Sequence, residues 1–197
     1  MTTMHKNMDK KNFILASASP QRIALLRQIG IEPKKIQPAD INEECLPHEK
    51  PLPYVRRMAY DKAAHISKLN SGENILACDT IVAVGQRILH KAQNEIEQRQ
   101  NMKLLSGRTH RVISSVCLIT KSGRIVQRTV ESKVYMKKLD PAEIDAYLAS
   151  NDWQGVCGYR IEGRIAAYVK RIVGSYSGIV GLPLHETVNM LKGEGII

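Results

Sequence analysis

Three sets of residues in this 197-residue chain are of types and spacings that could do chemistry. The first is the turn Ser17-Ala18-Ser19-Pro20-Gln21-Arg22. An apolar run, Phe13-Ile14-Leu15-Ala16, ends there and a helical stripe begins. A strand that enters a helix through such a turn leaves backbone N–H groups uncommitted, and with the helix dipole they favour an anion. Ser17 and Ser19 add hydroxyl donors. Arg22 adds a planar cationic fork suited to phosphate oxygens. The same residues also read as an ordinary capped helix, and they are no Walker loop, lacking Gly-Lys-Ser/Thr and its glycines. The second set is Asp79-Thr80, at the end of the apolar run Ile75-Leu76-Ala77-Cys78. Ligand groups gather beyond the carboxyl ends of strands in open α/β sheets. A carboxylate there can hold a divalent ion or orient an attacking water, or simply bond its own turn. The third set is two lone cations, Lys62 and Lys91, a type more often facing solvent than a ligand.

Other chemistries have little support. The six histidines fit no zinc-ligand spacing. There is no Gly-x-Ser-x-Gly elbow. Cys45, Cys78, Cys117 and Cys157 lie too far apart in sequence for paired metal ligands, and Cys78 and Cys117 read as small buried residues inside strands.

The elements that must position these residues follow from pattern. Phe13 to Ala16 predicts a buried strand. Ser19 as N-cap, Pro20 as first helical residue and Gly30 as stop predict a helix between them. Five prolines between residues 33 and 53 predict a connection without regular structure. Residues 54–69 repeat apolar side chains at helical spacing, and 75–78 continue extended through 81–84. Residues 92–105 predict a helix. Residues 110–120 and 125–136 predict two strands of a hairpin. Asp140-Pro141-Ala142-Glu143 is a strong helix start. Residues 164–172 alternate towards a strand, 174–181 are rich in Gly and Ser, and a last helix starts at Pro183 and runs through Leu191, with Gly193 as its stop. The expected fold class is α/β, a mixed β-sheet flanked by helices in two lobes around a cleft. Residues 1–11 are expected to be a loose tail and 12–197 a single domain.

Net charge is +10, with 29 basic residues against 19 acidic ones. That balance favours anionic partners without choosing among nucleic acid, acidic lipid and phosphorylated small molecules. No block of five basic residues occurs, and the nine aromatic residues lack the spacing of an RNA-binding sheet. No run approaches the roughly 20 apolar residues of a membrane span, and a cytoplasmic protein is expected.

Taken in order, these segments resemble the Maf (septum formation) family of nucleoside triphosphate pyrophosphatases. Ile14-Leu15-Ala16-Ser17-Ala18-Ser19-Pro20-Gln21-Arg22 is similar to the family's opening signature. Tyr54 to Ala63 matches the helix with its Lys-Ala pair, and Ala77-Cys78-Asp79-Thr80-Ile81-Val82 its Ala-Asp-Thr-Ile-Val segment. Leu105-Ser106-Gly107-Arg108-Thr109-His110, Gly174-Ser175-Tyr176 and Val180-Gly181-Leu182-Pro183-Leu184 match the later motifs. The resemblance implies a fold like that of inosine triphosphate pyrophosphatases. It implies hydrolysis between the α- and β-phosphates of a nucleoside triphosphate, with Mg²⁺ or Mn²⁺, and a link to nucleotide-pool cleaning and cell-division arrest. A homodimer is compatible with it; no stable nucleic-acid complex and no membrane association are expected. Carried over residue by residue, Asp79 is the catalytic acceptor. Ser17, Ser19, Arg22, Lys62 and Lys91 bind phosphate, and Glu43 joins Asp79 near the metal.

Three positions depart from the family pattern. Gln21 stands where Arg or an aromatic residue is usual. Glu162 replaces Gln in Gly155-Val156-Cys157-Gly158-Tyr159-Arg160-Ile161-Glu162-Gly163, which also lacks the leading Lys. Lys91 is followed by Ala92 instead of Pro. Gln21, Thr80 and Glu162 match positions tied to substrate choice in the dTTP/UTP branch, and only Thr80 is retained, so the base stays open. A nucleotide-binding regulator with little catalysis is the alternative reading.

Overall fold

The structure, a computed structural model, describes residues 10–197. Its centre is a mixed seven-stranded sheet in the order β2-β1-β3-β5-β6-β7, with β4 paired to β3. β1 (Lys11–Leu15) enters α1 (Pro20–Gln28) through the turn at Ser17, then β2 (Pro33–Ile36) returns parallel to β1. The tail reading of residues 1–11 falls mostly outside the described residues, and Lys11 is corrected: it opens β1, paired with Pro33.

β2 corrects the expectation of an irregular connection. Proline is tolerated at the first residue of an edge strand, where no sheet partner needs its missing N–H. The same correction holds for the start of α2 (Pro51–Leu69). Pro51 and Pro53 lie in its first turn, where backbone N–H groups have no intrahelical partner to lose. Proline density therefore misreads as loop at both ends of residues 33–53, leaving only 37–50 without regular structure.

β3 (Ile75–Val84) is one ten-residue strand, turning through Gly85 into the short β4 (Arg87–Leu89). α3 (Glu95–Leu105) starts three residues later than expected, because the Asn94 side chain accepts the Glu97 N–H and caps it. β5 (Thr109–Ile119) and β6 (Ile125–Met136) form the expected hairpin in unbroken register. α4 (Pro141–Ala149) has the full capping box of Asp140 and Glu143. The strand expected over 164–172 is corrected: residues 164–168 are a 3₁₀ turn, and only β7 (Val169–Val173) is extended. The Gly/Ser-rich stretch holds a one-turn helix, α5 (Tyr176–Val180), before α6 (Leu184–Gly193).

Alternation along β3 divides the core. Ile75 and Ala77 pack under α2 with Ala59, Ala63 and Ile66. Leu76 and Cys78 pack on the opposite face with Leu25 and Leu26 of α1, Leu191 of α6 and Leu182 just before α6. Beyond Val82 the strand enters a second apolar cluster built from α3, α4, Trp153 and Tyr159. These clusters give two lobes joined by β3, β5 and β6. The four cysteines are free, and Cys78 and Cys117 are buried in strands as expected.

His110 lies in the second lobe, 1% exposed, edge-on to Tyr159 with Nε2 2.5 Å from the phenol oxygen. Burial pushes its pKa down to about 4. The unfolded chain therefore binds this proton first as pH falls, and folding loses free energy between the ordinary histidine value and that lower one. His110 is expected to remove about 2 kcal/mol of stability between pH 7 and pH 5. In His110→Gln that pH dependence should flatten, even if stability at pH 7 is lower. Urea midpoints of both proteins at the two pH values check this; equal slopes would reject it.

Candidate active site

The open part of the site is made by a change of neighbours along β3. On one side the strand pairs with β5 throughout. On the other, β1 pairing ends at Leu76 and β4 pairing begins at Val82. Residues 77–81 thus border a notch between β1 and β4. Asp79 is accordingly not at the end of a strand, as the sequence suggested, but in the middle of one. The parallel pairing with β1 stops just before it, so it still lies beyond the carboxyl end of β1.

Asp79 and Thr80 point to opposite faces. Asp79, 7% exposed, faces α2 and accepts a hydrogen bond from Lys62 Nζ at 2.6 Å. Lys62 comes from the middle of α2, four residues from Met58 and Ile66 on the buried stripe. Its ammonium also contacts Glu43 Oε1 at 2.9 Å. Burial works against this charge, but Asp79 and Glu43 outweigh it and raise the Lys62 pKa. Glu43 is held below the ordinary carboxylate value: partial burial opposes that, and Lys62, Lys91 and Arg22 overcome it. Lys62 is no solvent-facing lysine; it is the clasp between two carboxylates.

Glu43 sits in the 37–50 connection, whose position α2 fixes. Tyr54 donates its hydroxyl to the Glu43 carbonyl at 2.7 Å. Arg57 donates to the Glu44 carbonyl at 3.0 Å and forks onto Glu49. No local pattern in the sequence signals these contacts, although Tyr54 stands in the segment that resembles the family helix.

The turn before α1 gives the cationic side. Ser17, 7% exposed, accepts from the Ser19 N–H at 3.2 Å and from Arg22 Nη1 at 3.0 Å. Ser19 caps α1 by accepting the Arg22 N–H, and its hydroxyl donates to Gln21 Oε1. Arg22 Nε donates to the Gly181 carbonyl at 2.8 Å, so the guanidinium is oriented from both ends. That carbonyl also lies 3.1 Å from Cys78 Sγ and 3.3 Å from Thr80 Oγ1. Gly181 has φ +140°, a backbone conformation that side chains rarely adopt. A hub carbonyl of this kind carries no local sequence signal beyond the glycine itself.

Two cavities flank the notch. One, of about 250 Å³, holds Glu43, Tyr54, Lys62, Asp79 and His90. The other, of about 150 Å³, holds Ser19, Gln21, Tyr159, Arg160 and Glu162. Arg22, Thr80, Lys91 and Cys157 line both. Lys91 is exposed and held in place by a bridge to Cys157. The structure therefore brings together all the residues singled out in the sequence except Ser17, which supports Arg22 from beneath the cavities. Among the described residues, no three of His, Cys, Asp and Glu converge as a metal cage, and no helix is long and apolar enough to cross a membrane.

The arrangement is a carboxylate pair and an anchored cation on one side, cations in the middle, and a mixed polar pocket on the other. A family model described as Maf-like protein matches residues 12–194 of this chain. The chain belongs to the Maf family. Among Maf relatives, the dTTP/UTP pyrophosphatase of Paramagnetospirillum magneticum is 50% identical over 92% of this chain and 96% of its own. Proteins of the same name from Mesorhizobium japonicum and Caulobacter vibrioides are 47% and 46% identical, over 94% and 92% of this chain and 92% and 95% of theirs. A solved structure titled nucleoside-triphosphatase / dITP/XTP pyrophosphatase, from Mycobacterium abscessus, covers 64% of this chain and 75% of its own at a TM-score of 0.42 and 19% identity.

Proposed function

We propose that this Maf protein is a nucleoside triphosphate pyrophosphatase that acts on triphosphates of the dTTP/UTP kind, releasing the monophosphate and pyrophosphate. The observation that carries the reading is the shared lining of the two cavities. Arg22 and Lys91 stand between Gln21 and Glu162 on one side and Asp79, Lys62 and Glu43 on the other. A nucleotide with its base at Gln21 and Glu162 would lay its phosphates across the two free cations and reach the carboxylates.

Asp79 Oδ1 is committed to Lys62, which leaves Oδ2 as the acceptor for a water proton. Water then bonds to phosphorus, the bridging P–O bond to the pyrophosphate breaks, and Arg22, held by Ser17, and Lys91 stabilise the charge that leaves. Phosphoryl transfer depends mainly on such positioning and neutralisation. The two carboxylates also fit a divalent cation of the Mg²⁺ or Mn²⁺ type, which is commonly held by one or two carboxylates and completed by water and phosphate oxygens. Glu43 and Asp79 would hold it, and it would supply further neutralisation of the phosphate charge.

Gln21 and Glu162 shape the base side. An ionised carboxylate only accepts hydrogen bonds, and so do the ring carbonyls of uracil and thymine. Glu162→Gln is expected to raise kcat/KM for UTP and dTTP about tenfold, one hydrogen bond in place of a repulsion. The test is a panel of triphosphates with Mg²⁺ or Mn²⁺, followed by pyrophosphate release. UTP and dTTP should lead in the native protein and gain in the variant. Absence of turnover of every triphosphate by folded protein would reject the proposed reaction.

A further inference from the structure

We infer that Ser114 is a positioning residue that fixes the direction of the Thr80 hydroxyl, so that Thr80 meets the nucleotide base only as a hydrogen-bond acceptor. This rests on the reading of the Gln21–Glu162 side as the base pocket.

The inference comes from counting protons. Thr80 and Ser114 are directly opposed across β3 and β5, and their hydroxyl oxygens are 2.7 Å apart. Ser114, 2% exposed, also lies 2.6 Å from the Gly178 carbonyl in α5. A carbonyl has no proton, so the single hydroxyl proton of Ser114 must fill that contact. The contact between Ser114 and Thr80 then needs the proton of Thr80. The remaining neighbour of Thr80, the Gly181 carbonyl at 3.3 Å, is another acceptor and cannot supply one. Every protein group around Thr80 Oγ1 thus asks it to donate inward. What it offers to the cavities that it lines is a lone pair.

A lone pair at that point selects a base edge with a donor. The ring N3–H of uracil and thymine is such a donor. Cytosine presents an unprotonated N3 instead, and two lone pairs would face one another. The discrimination is set by a buried serine that no ligand touches, through α5, the short helix whose end also carries the Gly181 carbonyl that orients Arg22.

The test compares kcat/KM for UTP and CTP in four proteins: native, Ser114→Ala, Thr80→Val and the double variant. Thermal unfolding of each confirms that it is folded. In Ser114→Ala the Thr80 proton loses its nearer inward acceptor and keeps only the longer contact to the Gly181 carbonyl, at 3.3 Å, so it can turn to serve cytosine N3. The UTP/CTP ratio should fall about tenfold, the worth of one hydrogen bond, with the CTP value rising. Thr80→Val should lower the ratio by losing UTP turnover without a rise for CTP. In the Val background, Ser114→Ala should leave the ratio unchanged, since the two residues then share no interaction. An equal loss for both substrates in Ser114→Ala would overturn the inference. So would the same change of ratio in both backgrounds, or a native preference for CTP. Failure of the native protein to hydrolyse any triphosphate would instead sink the pyrophosphatase reading, and this inference with it.

Discussion

Asp79→Asn is expected to lower the rate of pyrophosphate release about a thousandfold, within the usual range for loss of a general base. The fold should survive it. An asparagine carbonyl can still accept the Lys62 hydrogen bond, and among the described residues Asp79 makes no other side-chain hydrogen bond. What is lost is the second carboxylate oxygen, the one left free for water. Nucleotide binding should change much less than turnover, because Arg22 and Lys91 are untouched. Single-turnover rates and nucleotide affinities, measured on the same preparation, separate the two. Retention of a tenth of the native rate would remove Asp79 from its assigned role. A loss in affinity as large as the loss in rate would do the same.

The second large effect concerns stability as well as rate. Lys62→Met leaves Asp79 buried with no partner and Glu43 close by. Both carboxylates contact the same ammonium, so their nearest oxygens lie within about 5.5 Å of each other, the sum of the two contacts. Removing one partner of a buried ion pair costs about 3 to 5 kcal/mol. Glu43 is largely exposed and can turn to solvent, so the lower end is expected. The sign of the pH dependence makes this specific. In the native protein Glu43 titrates below its ordinary value, so its contribution is present above that value and is lost as pH falls. In the variant a carboxyl next to an unscreened like charge titrates above its ordinary value, and its penalty is relieved as pH falls. The stability gap between variant and native protein should therefore narrow between pH 7 and pH 4. Denaturant midpoints across that range decide it, and a constant gap would mean that packing, not charge, is what Lys62 contributes. Turnover should be lost at every pH.

Most of the scaffold could be read from local chemistry. The Ser19 cap, the Pro20 start and the Asp140–Glu143 capping box are short-range devices, and each holds a helix end where the pattern put it. The hairpin of β5 and β6 is likewise local. Two of the misreadings share a cause. Proline is read as a breaker, but an edge strand and a first helical turn do not use the N–H that proline lacks, and this hid β2 and the start of α2. The placement of Asp79 at a strand end failed for a different reason. Sequence carries no mark of where a strand exchanges one neighbour for another, and β3 does so between Leu76 and Val82.

In the site, the residue types were legible and their pairings were not. Asp79, Lys62 and Glu43 come from a strand, a helix and a connection, and only the fold makes Lys62 bridge the two acids. Tyr54, Ser114 and Gly181 act through long-range contacts. The resemblance of whole segments to one family pointed to the stretches containing Tyr54 and Gly181, but not to what these residues hold.

The notch in β3 has one more consequence. An unpaired strand edge is ordinarily a template on which another chain can add, and proteins guard such edges with charge or brevity. Here the edge is internal. It is five residues long, closed at one end by β1 and at the other by β4, with Arg22 and Lys91 at the cavities beside it. A foreign strand has neither the length nor the approach to dock there, whereas a slender anion has both. Backbone left open at the centre of the sheet is thus shielded, at this edge, from pairing with another strand.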